Sequence, residues 1–208
     1  VGENGAGKTT LMKILYGLYR PDGGSVFIND ESVEINGTRD AIAKGIGMVH
    51  QHFMLIPVFN VLDNVILGSE REIPGGEIVK NTAAEESSLP PFLQRIVDRL
   101  HLDKYAPRKR ILEIMERNRI DVDLDRDVGD LPVGIQQRVE ILKILYRGAQ
   151  VLVFDEPTAV LSPQEIASLF ESFRQLTAQG KGVIFISHKL DEVLQIADRI
   201  TVIRGGKV

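Results

Sequence analysis

Eight residues near the start constrain this chain more than anything else in it. Gly2-Glu3-Asn4-Gly5-Ala6-Gly7-Lys8-Thr9 matches the pattern Gly-x-x-x-x-Gly-Lys-Ser/Thr in full. Leu11, Ile14, Leu15 and Leu18 follow at the spacing of a helix that packs one face on a sheet, which predicts a helix over 8–19. A glycine-rich loop feeding a helix is a phosphate cradle. The glycines let backbone N–H groups turn inward around phosphate oxygens, and the helix N-terminus adds its dipole. Gly2, Glu3, Asn4, Gly5, Ala6, Gly7, Lys8, Thr9 and Thr10 are therefore the candidate residues for ATP and Mg²⁺. In this reading Lys8 contacts the β- and γ-phosphates, Thr9 binds Mg²⁺ and Thr10 reaches the α-phosphate. A glycine-rich turn before an ordinary helix is the plainer alternative, and the complete pattern argues against it.

The rest of the chain reads as the α/β scaffold such a loop requires. Ser25 to Ile28 and Gly45-Ile46-Gly47-Met48-Val49 fit short strands. Val151-Leu152-Val153-Phe154 and Val183-Ile184-Phe185-Ile186 are unbroken apolar runs, as in central parallel strands buried on both faces. An amphipathic helix over 163–178, closed by Gly180, lies between them and makes a parallel strand–helix–strand unit. The segment 60–148 lacks buried-strand runs and shows helical spacing at Phe92, Ile96, Val97 and Leu100, then at Ile111, Ile114 and Met115. It reads as a helical subdomain set into a core made of 1–59 and 149–208, with a surface insert near 75–107. The fold class is α/β: a P-loop NTPase core with a mainly parallel sheet plus an inserted α-helical subdomain. A P-loop needs a strand in front of it, and 200–208 reads as a strand, a turn and the start of another strand. The chain is thus expected to be a fragment cut at both ends.

Two carboxylates end the first long apolar strand. Asp155 and Glu156 would face the ligand crevice at the C-terminal edge of a parallel sheet. Asp155 suits Mg²⁺, which prefers oxygen ligands and keeps several waters. Glu156 is placed to orient and deprotonate the attacking water. His188 follows the second long strand, where its imidazole could contact the γ-phosphate. Gln51, just after the strand 46–49, could reach Mg²⁺ or the water with its amide. His50 and His52 flank it without a carboxylate partner and read as packing or interface residues.

Composition narrows the classes further. With net charge -4 and no sustained Lys/Arg stripe, the chain carries no nucleic-acid footprint. Arg108-Lys109-Arg110 reads as a solvated helix face. The absence of cysteine excludes a disulfide framework, a thiolate zinc site and cysteine catalysis. No apolar run approaches the length of a membrane span, so work at a membrane needs a partner.

The order of these parts resembles the ABC ATPase family over nearly the whole chain. The loop at 2–9 is followed by Met48-Val49-His50-Gln51-His52-Phe53, a helical insert, Leu131-Pro132-Val133-Gly134-Ile135-Gln136-Gln137-Arg138, the strand ending in Asp155-Glu156, and His188. Gly45 to Phe53, Val139 to Ala149 and Pro157 to Glu165 look most like the ATP-binding subunits of simple-sugar and nucleoside importers, where one polypeptide holds two cassettes and this would be the first. The resemblance implies head-to-tail pairing with a second ABC cassette, which sandwiches ATP between one P-loop and the opposing signature. It also implies permease subunits of the membrane, contacted by the helical subdomain and the Gln51 loop. A solute-binding protein would act indirectly, and the cassette would sit on the cytoplasmic face.

Three departures stand out against that family. The signature normally reads Leu-Ser-Gly-Gly-Gln, but the corresponding residues here, Leu131, Pro132, Val133, Gly134, Ile135 and Gln136, lack the serine, and Pro132 has no backbone N–H. Only Gly134 and the helix N-terminus behind it remain to offer N–H groups to the partner's nucleotide. Ser162 takes the usual Asp position in the loop after the carboxylates, which is expected to soften communication between sites. The span from Gln51 to Gly134 is longer than usual by roughly 30 residues, about a helix pair with its connections. The degenerate signature keeps open a hydrolysis-poor regulatory or structural cassette. A soluble, non-transport ABC ATPase is a more distant reading, because neither a coiled-coil insertion nor a basic linker is present.

Overall fold

The computed structural model describes residues 1–51, 53–69 and 105–208. In chain order the described elements are α1 (Lys8–Leu15), β1 (Val26–Ile28), β2 (Glu31–Val33), α2 (Thr38–Ala43), β3 (Ile46–Val49), α3 (Val61–Ile66) and α4 (Tyr105–Asn118). A 3₁₀ turn (Val128–Asp130) then precedes α5 (Val133–Tyr146), β4 (Val151–Asp155), α6 (Pro163–Ala178), β5 (Gly182–Ile186) and α7 (Leu190–Ile196). His52, the helical spacing at Phe92 to Leu100 and the expected insert up to residue 104 lie outside the described residues. Residues 105–107 open α4.

Three parallel strands in the order β3-β4-β5 form the sheet that positions the site. The register sets Val49 beside Phe154 and Asp155 beside Ile186, so the C-terminal ends of all three strands meet at one edge. Because side chains alternate across a strand, β4 feeds two cores. Leu152 and Phe154 join a large cluster with α3, α5 and α6, while Val153 joins Ile46, Met48 and Ala41 on the opposite face, against Met12 and Leu15 of α1. Phe173 of α6 lies 4.4 Å ring to ring from Phe154 and 5.9 Å from Phe185, locking the β4–α6–β5 crossover onto the sheet.

The helix α6 runs from 163 to 178, as its sequence predicts. Ser162 caps it, Glu165 reaches back to the Ser162 N–H, and Pro163 occupies the first turn. α1 is shorter than its apolar spacing predicts. Gly17 adopts φ 76, its N–H donates to Ile14 O and Leu18 N–H donates to Lys13 O, closing the helix in a Schellman motif at Leu15. β1 is not a lone strand, since it pairs antiparallel with β2 through Asn29 and Asp30, both in the left-handed region.

Within 200–208 the expected turn is present, with Arg204 and Lys207 bridged across Gly205 and Gly206, but no strand is formed on either side of it. Ile203 N–H donates to Val1 O and the Val1 amino group to Thr201 O. The basic run 108–110 is on a helix but is not simply solvated. Arg108 makes two 2.7 Å bonds to the Asp125 carboxylate, and the Arg110 guanidinium lies 5.9 Å from the Tyr146 ring. Among the described residues, no helix is long and apolar enough to cross a membrane.

Candidate active site

The glycine-rich loop and the C-terminal edge of the sheet converge. Gly7 stands at the N-cap of α1 with φ 99, a conformation that side chains with a Cβ rarely adopt, and this turn aims the first N–H groups of α1 into the loop. Lys8 is only 8% exposed, and its Nζ donates to Gly2 O at 2.6 Å and Glu3 O at 2.9 Å. The ammonium therefore sits inside the ring of loop carbonyls. Thr9 Oγ1 donates to Asp155 Oδ1 at 3.1 Å, joining residues 146 positions apart in sequence. Burial pushes the Asp155 carboxyl upward, the Thr9 hydroxyl draws it back, and the Glu156 charge pushes it up again.

Glu156 turns off the end of β4 with φ 48, a left-handed conformation that costs a non-glycine residue about 1–2 kcal/mol. Its N–H donates to Ile186 O, and its Oε1 stands 3.1 Å from His188 Nδ1. Such a backbone conformation persists only where surrounding contacts hold it. Those contacts come from residues the sequence did not single out. Thr158 Oγ1 donates to Glu192 Oε2 at 2.6 Å, Lys189 Nζ reaches Thr158 O at 3.3 Å, and Lys189 pairs with Glu192 at 3.0 Å. They stitch the start of α7 to the loop behind Glu156 and so hold His188 beside the carboxylate. The spacings involved, 31 and 34 residues, correspond to no local period that a sequence could display.

Gln51 sits two positions past the end of β3, exposed, and among the described residues it makes no hydrogen bond. The structure thus brings together Lys8, Thr9, Asp155, Glu156 and His188, and leaves Gln51 at the rim. His50 packs edge-on against Tyr16 at 5.8 Å, as a packing histidine should. Burial lowers its pKa, against the opposing pull of Asp155.

The segment 131–136 is only partly buried. Leu131 is buried, Ile135 packs on the main core, and Gln136 Nε2 donates back to Leu131 O at 2.9 Å. Pro132 is the N-cap of α5 with φ −55, and Val133 is exposed. The Gly134 N–H is not free for an incoming group, because it donates to Glu165 Oε1 at 3.2 Å. This corrects the expectation that Gly134 offers its N–H outward. Ser162, at the end of the loop after the carboxylates, also caps α6.

The donor set also decides which cation fits. Thr9 Oγ1 and Asp155 Oδ1 form a small pair of oxygens, and among the described residues no group of three or more His, Cys, Asp or Glu could hold a metal. Such a pair suits a hard cation completing its shell with phosphate oxygens and water, as Mg²⁺ does, and not a protein-only cage.

A family model described as ABC transporter matches residues 1–159. The chain is 48% identical over its full length to the glucose import ATP-binding protein TsgD13 of Haloferax volcanii, covering 38% of that protein. It is 46% identical over its full length to the nucleoside import ATP-binding protein NupA of Lactococcus lactis, covering 36%. It is 44% identical to the guanosine import ATP-binding protein NupO of Bacillus subtilis, again covering 36% of that protein. The chain therefore spans well under half the length of these relatives. Among solved structures it is similar to the ADP conformation of an ATP-binding cassette of an ABC transporter, with TM-score 0.77 and 26% identity over 99% of this chain and 75% of the other. A nucleotide-free cassette from an ABC transporter gives 0.76 and 25% over the same shares. A nucleotide cradle built on the glycine loop, carboxylates at the sheet edge and a family match over most of the sequence agree: the chain belongs to the ABC transporter family.

Proposed function

We propose that this chain is the ATP-binding and ATP-hydrolysing cassette that powers an importer of simple sugars or nucleosides. The observation that carries the reading is the Thr9–Asp155 hydrogen bond of 3.1 Å, which sets the loop hydroxyl on the strand-end carboxylate where a nucleotide-bound cation needs both. The importer names of the relatives support the transport role, and their greater length leaves room for a second cassette. Membrane permease subunits and a solute-binding protein are the further partners, with the cassette peripheral on the cytoplasmic face.

In this mechanism the N–H groups of 2–10 surround the phosphates, and Lys8 leaves its carbonyl partners to pair with the terminal ones. Thr9 and Asp155, with Gln51 at the rim, would hold Mg²⁺, which would supply charge neutralisation at the phosphate oxygens. Glu156 accepts the proton of the attacking water, and its strained backbone aims the carboxylate out of the sheet edge. The imidazolium form of His188 carries an N–H for each task, Nδ1 toward the Glu156 carboxylate and Nε2 toward the γ-phosphate.

ATP turnover by the intact protein, compared with its Glu156→Gln variant in a single-turnover assay, tests the reading. Equal rates for both would end it. A second reading, a cassette whose signature side supports hydrolysis poorly, is favoured by one observation: Pro132 has no N–H and that of Gly134 is already donated to Glu165. In that reading the partner's site is the slow one, and a signature restored by Pro132→Ser accelerates it.

A further inference from the structure

We propose that Glu140 and Lys143 are positioning residues that fix the Gln51 loop to α5; this rests on the reading of Gln51 as part of the nucleotide site. The backbone of Met54 is gripped on both of its polar groups. Its N–H donates to Glu140 Oε1 at 2.7 Å, and its carbonyl accepts from Lys143 Nζ at 3.0 Å. The two side chains are three residues apart on α5 and so share one face of the helix. One turn further along, Arg147 Nη2 donates to Leu67 O at 2.7 Å. Two charged side chains of α5 and a third at its C-cap thus bind the backbone of the segment 54–67.

Upstream, the same loop is anchored to the sheet. Val49 pairs with Phe154 in the β3–β4 register. Gln51 therefore lies in a link of four residues, 50–53, between an anchor on the sheet and an anchor on α5. A link that short keeps Gln51 within a few residues of both anchors, at most about 3.5 Å per residue of extended chain. α5 is also the helix that carries Pro132 and Gly134 at its N-terminus, so the loop and the signature segment share one rigid element.

The chemistry of the grip argues against a role in packing alone. Glu140 is 3% exposed and Lys143 9%, and burying two charged groups costs more than burying aliphatic ones of the same size. Burial accordingly pushes the Glu140 carboxyl up and the Lys143 ammonium down, each opposed by the other's charge. The Met54 side chain is 64% exposed, so the grip does not serve to bury it. What the pair fixes is the path of the backbone.

The test uses the intact protein and reads the Mg²⁺ concentration that gives half-maximal ATP hydrolysis, with Gln51→Ala as the reference. Glu140→Leu and Lys143→Met are expected to raise that concentration by about fivefold, the size of one hydrogen bond's net contribution. Binding of a fluorescent ATP analogue without Mg²⁺ should stay within about twofold, as for a change remote from the loop at 2–9. Glu140→Gln, which keeps an acceptor oxygen for Met54, should restore the wild-type value. If Gln51→Ala shifts the Mg²⁺ requirement while Glu140→Leu and Lys143→Met do not, the positioning role is overturned and the site reading stands. If Gln51→Ala itself shifts nothing, the assignment of Gln51 falls and the proposal with it. Should the Leu variant fail to fold, amide exchange in the wild type decides: Met54 must exchange more slowly than Leu55, and a fast Met54 amide overturns the proposal.

Discussion

His188 Nδ1 and Glu156 Oε1 stand 3.1 Å apart, at the ends of two adjacent parallel strands and 32 residues apart in sequence. The pair couples the Glu156 carboxylate, the proposed proton acceptor, to a half-exposed imidazole, and each can change the other's orientation. Glu156→Gln is expected to cut turnover by about 10²–10⁴-fold, the usual contribution of a general base, with nucleotide affinity retained. His188→Ala should also lower kcat while leaving KM for ATP close to wild type. A Glu156→Gln protein that turns over normally would remove the base from the mechanism.

Asp155 accepts from Thr9 and lies at 5% exposure. Asn at 155 keeps an acceptor for the hydroxyl but removes the charge. Asp155→Asn should therefore raise the Mg²⁺ requirement of hydrolysis by about 10–100-fold, the range seen when a metal loses a supporting group. Binding of nucleotide without Mg²⁺ should be unchanged or tighter, because a negative charge near the phosphates is gone. Titration calorimetry with and without Mg²⁺ separates the two effects.

Phe173 is 2% exposed and touches Phe154, Phe170 and Phe185. Its ring fills the space between α6 and the sheet. Phe173→Ala should cost about 3–5 kcal/mol of unfolding free energy in urea. A loss below about 1 kcal/mol would mean that the crossover helix is not packed as described.

Glu165 serves two helices at once: it completes the capping box of α6 and accepts from the Gly134 N–H at the start of α5. Ser162→Ala removes one cap and should cost about 1 kcal/mol. Glu165→Ala should do more than that, and it alone should speed amide exchange at Gly134. Equal Gly134 protection in both variants would show that the contact between the helices does not persist in solution.

The Arg108–Asp125 pair sets a pH dependence. Hydrogen bonding to the guanidinium holds the Asp125 carboxyl below its ordinary value of 3.8. Its contribution is fully present above that ordinary value and is lost as pH falls through the lowered folded value. The stability gap between wild type and Asp125→Asn should thus be constant near neutrality, close in acid and narrow in high salt, because the pair is exposed. A gap that persists at the lowest pH would contradict the pairing.

Local signals were legible wherever they matched a local cause. α6 could be read to both ends because its apolar spacing starts at Pro163, a residue suited to a first turn, and Gly180 closes it. The strands at 151 and 183 could be read because unbroken apolar runs belong to buried parallel strands. β2 escaped because Glu31-Ser32-Val33 is mostly exposed and has no apolar alternation. The end of α1 was misplaced because Leu18 continued the helical spacing, while the backbone conformation of Gly17 ended the helix first. Pro132 stands at the start of α5, a place its residue type suits, while the Gly134 N–H donates to Glu165, 31 residues away, where no local signal points.

The sequence by itself determined the cradle at 2–9, the α/β alternation and the identity of the strand-end residues Asp155, Glu156 and His188. Each of these depends on neighbours within a few positions, through backbone freedom, periodicity or a fixed motif spacing. Only the tertiary structure decided who meets whom: Thr9 with Asp155 across 146 residues, Glu156 with His188 across 32, and Glu140 with Met54 across 86. Those meetings are set by the β3-β4-β5 register and by the face that each helix presents to the sheet. Both are properties of the packed core, and no single stretch of chain carries them.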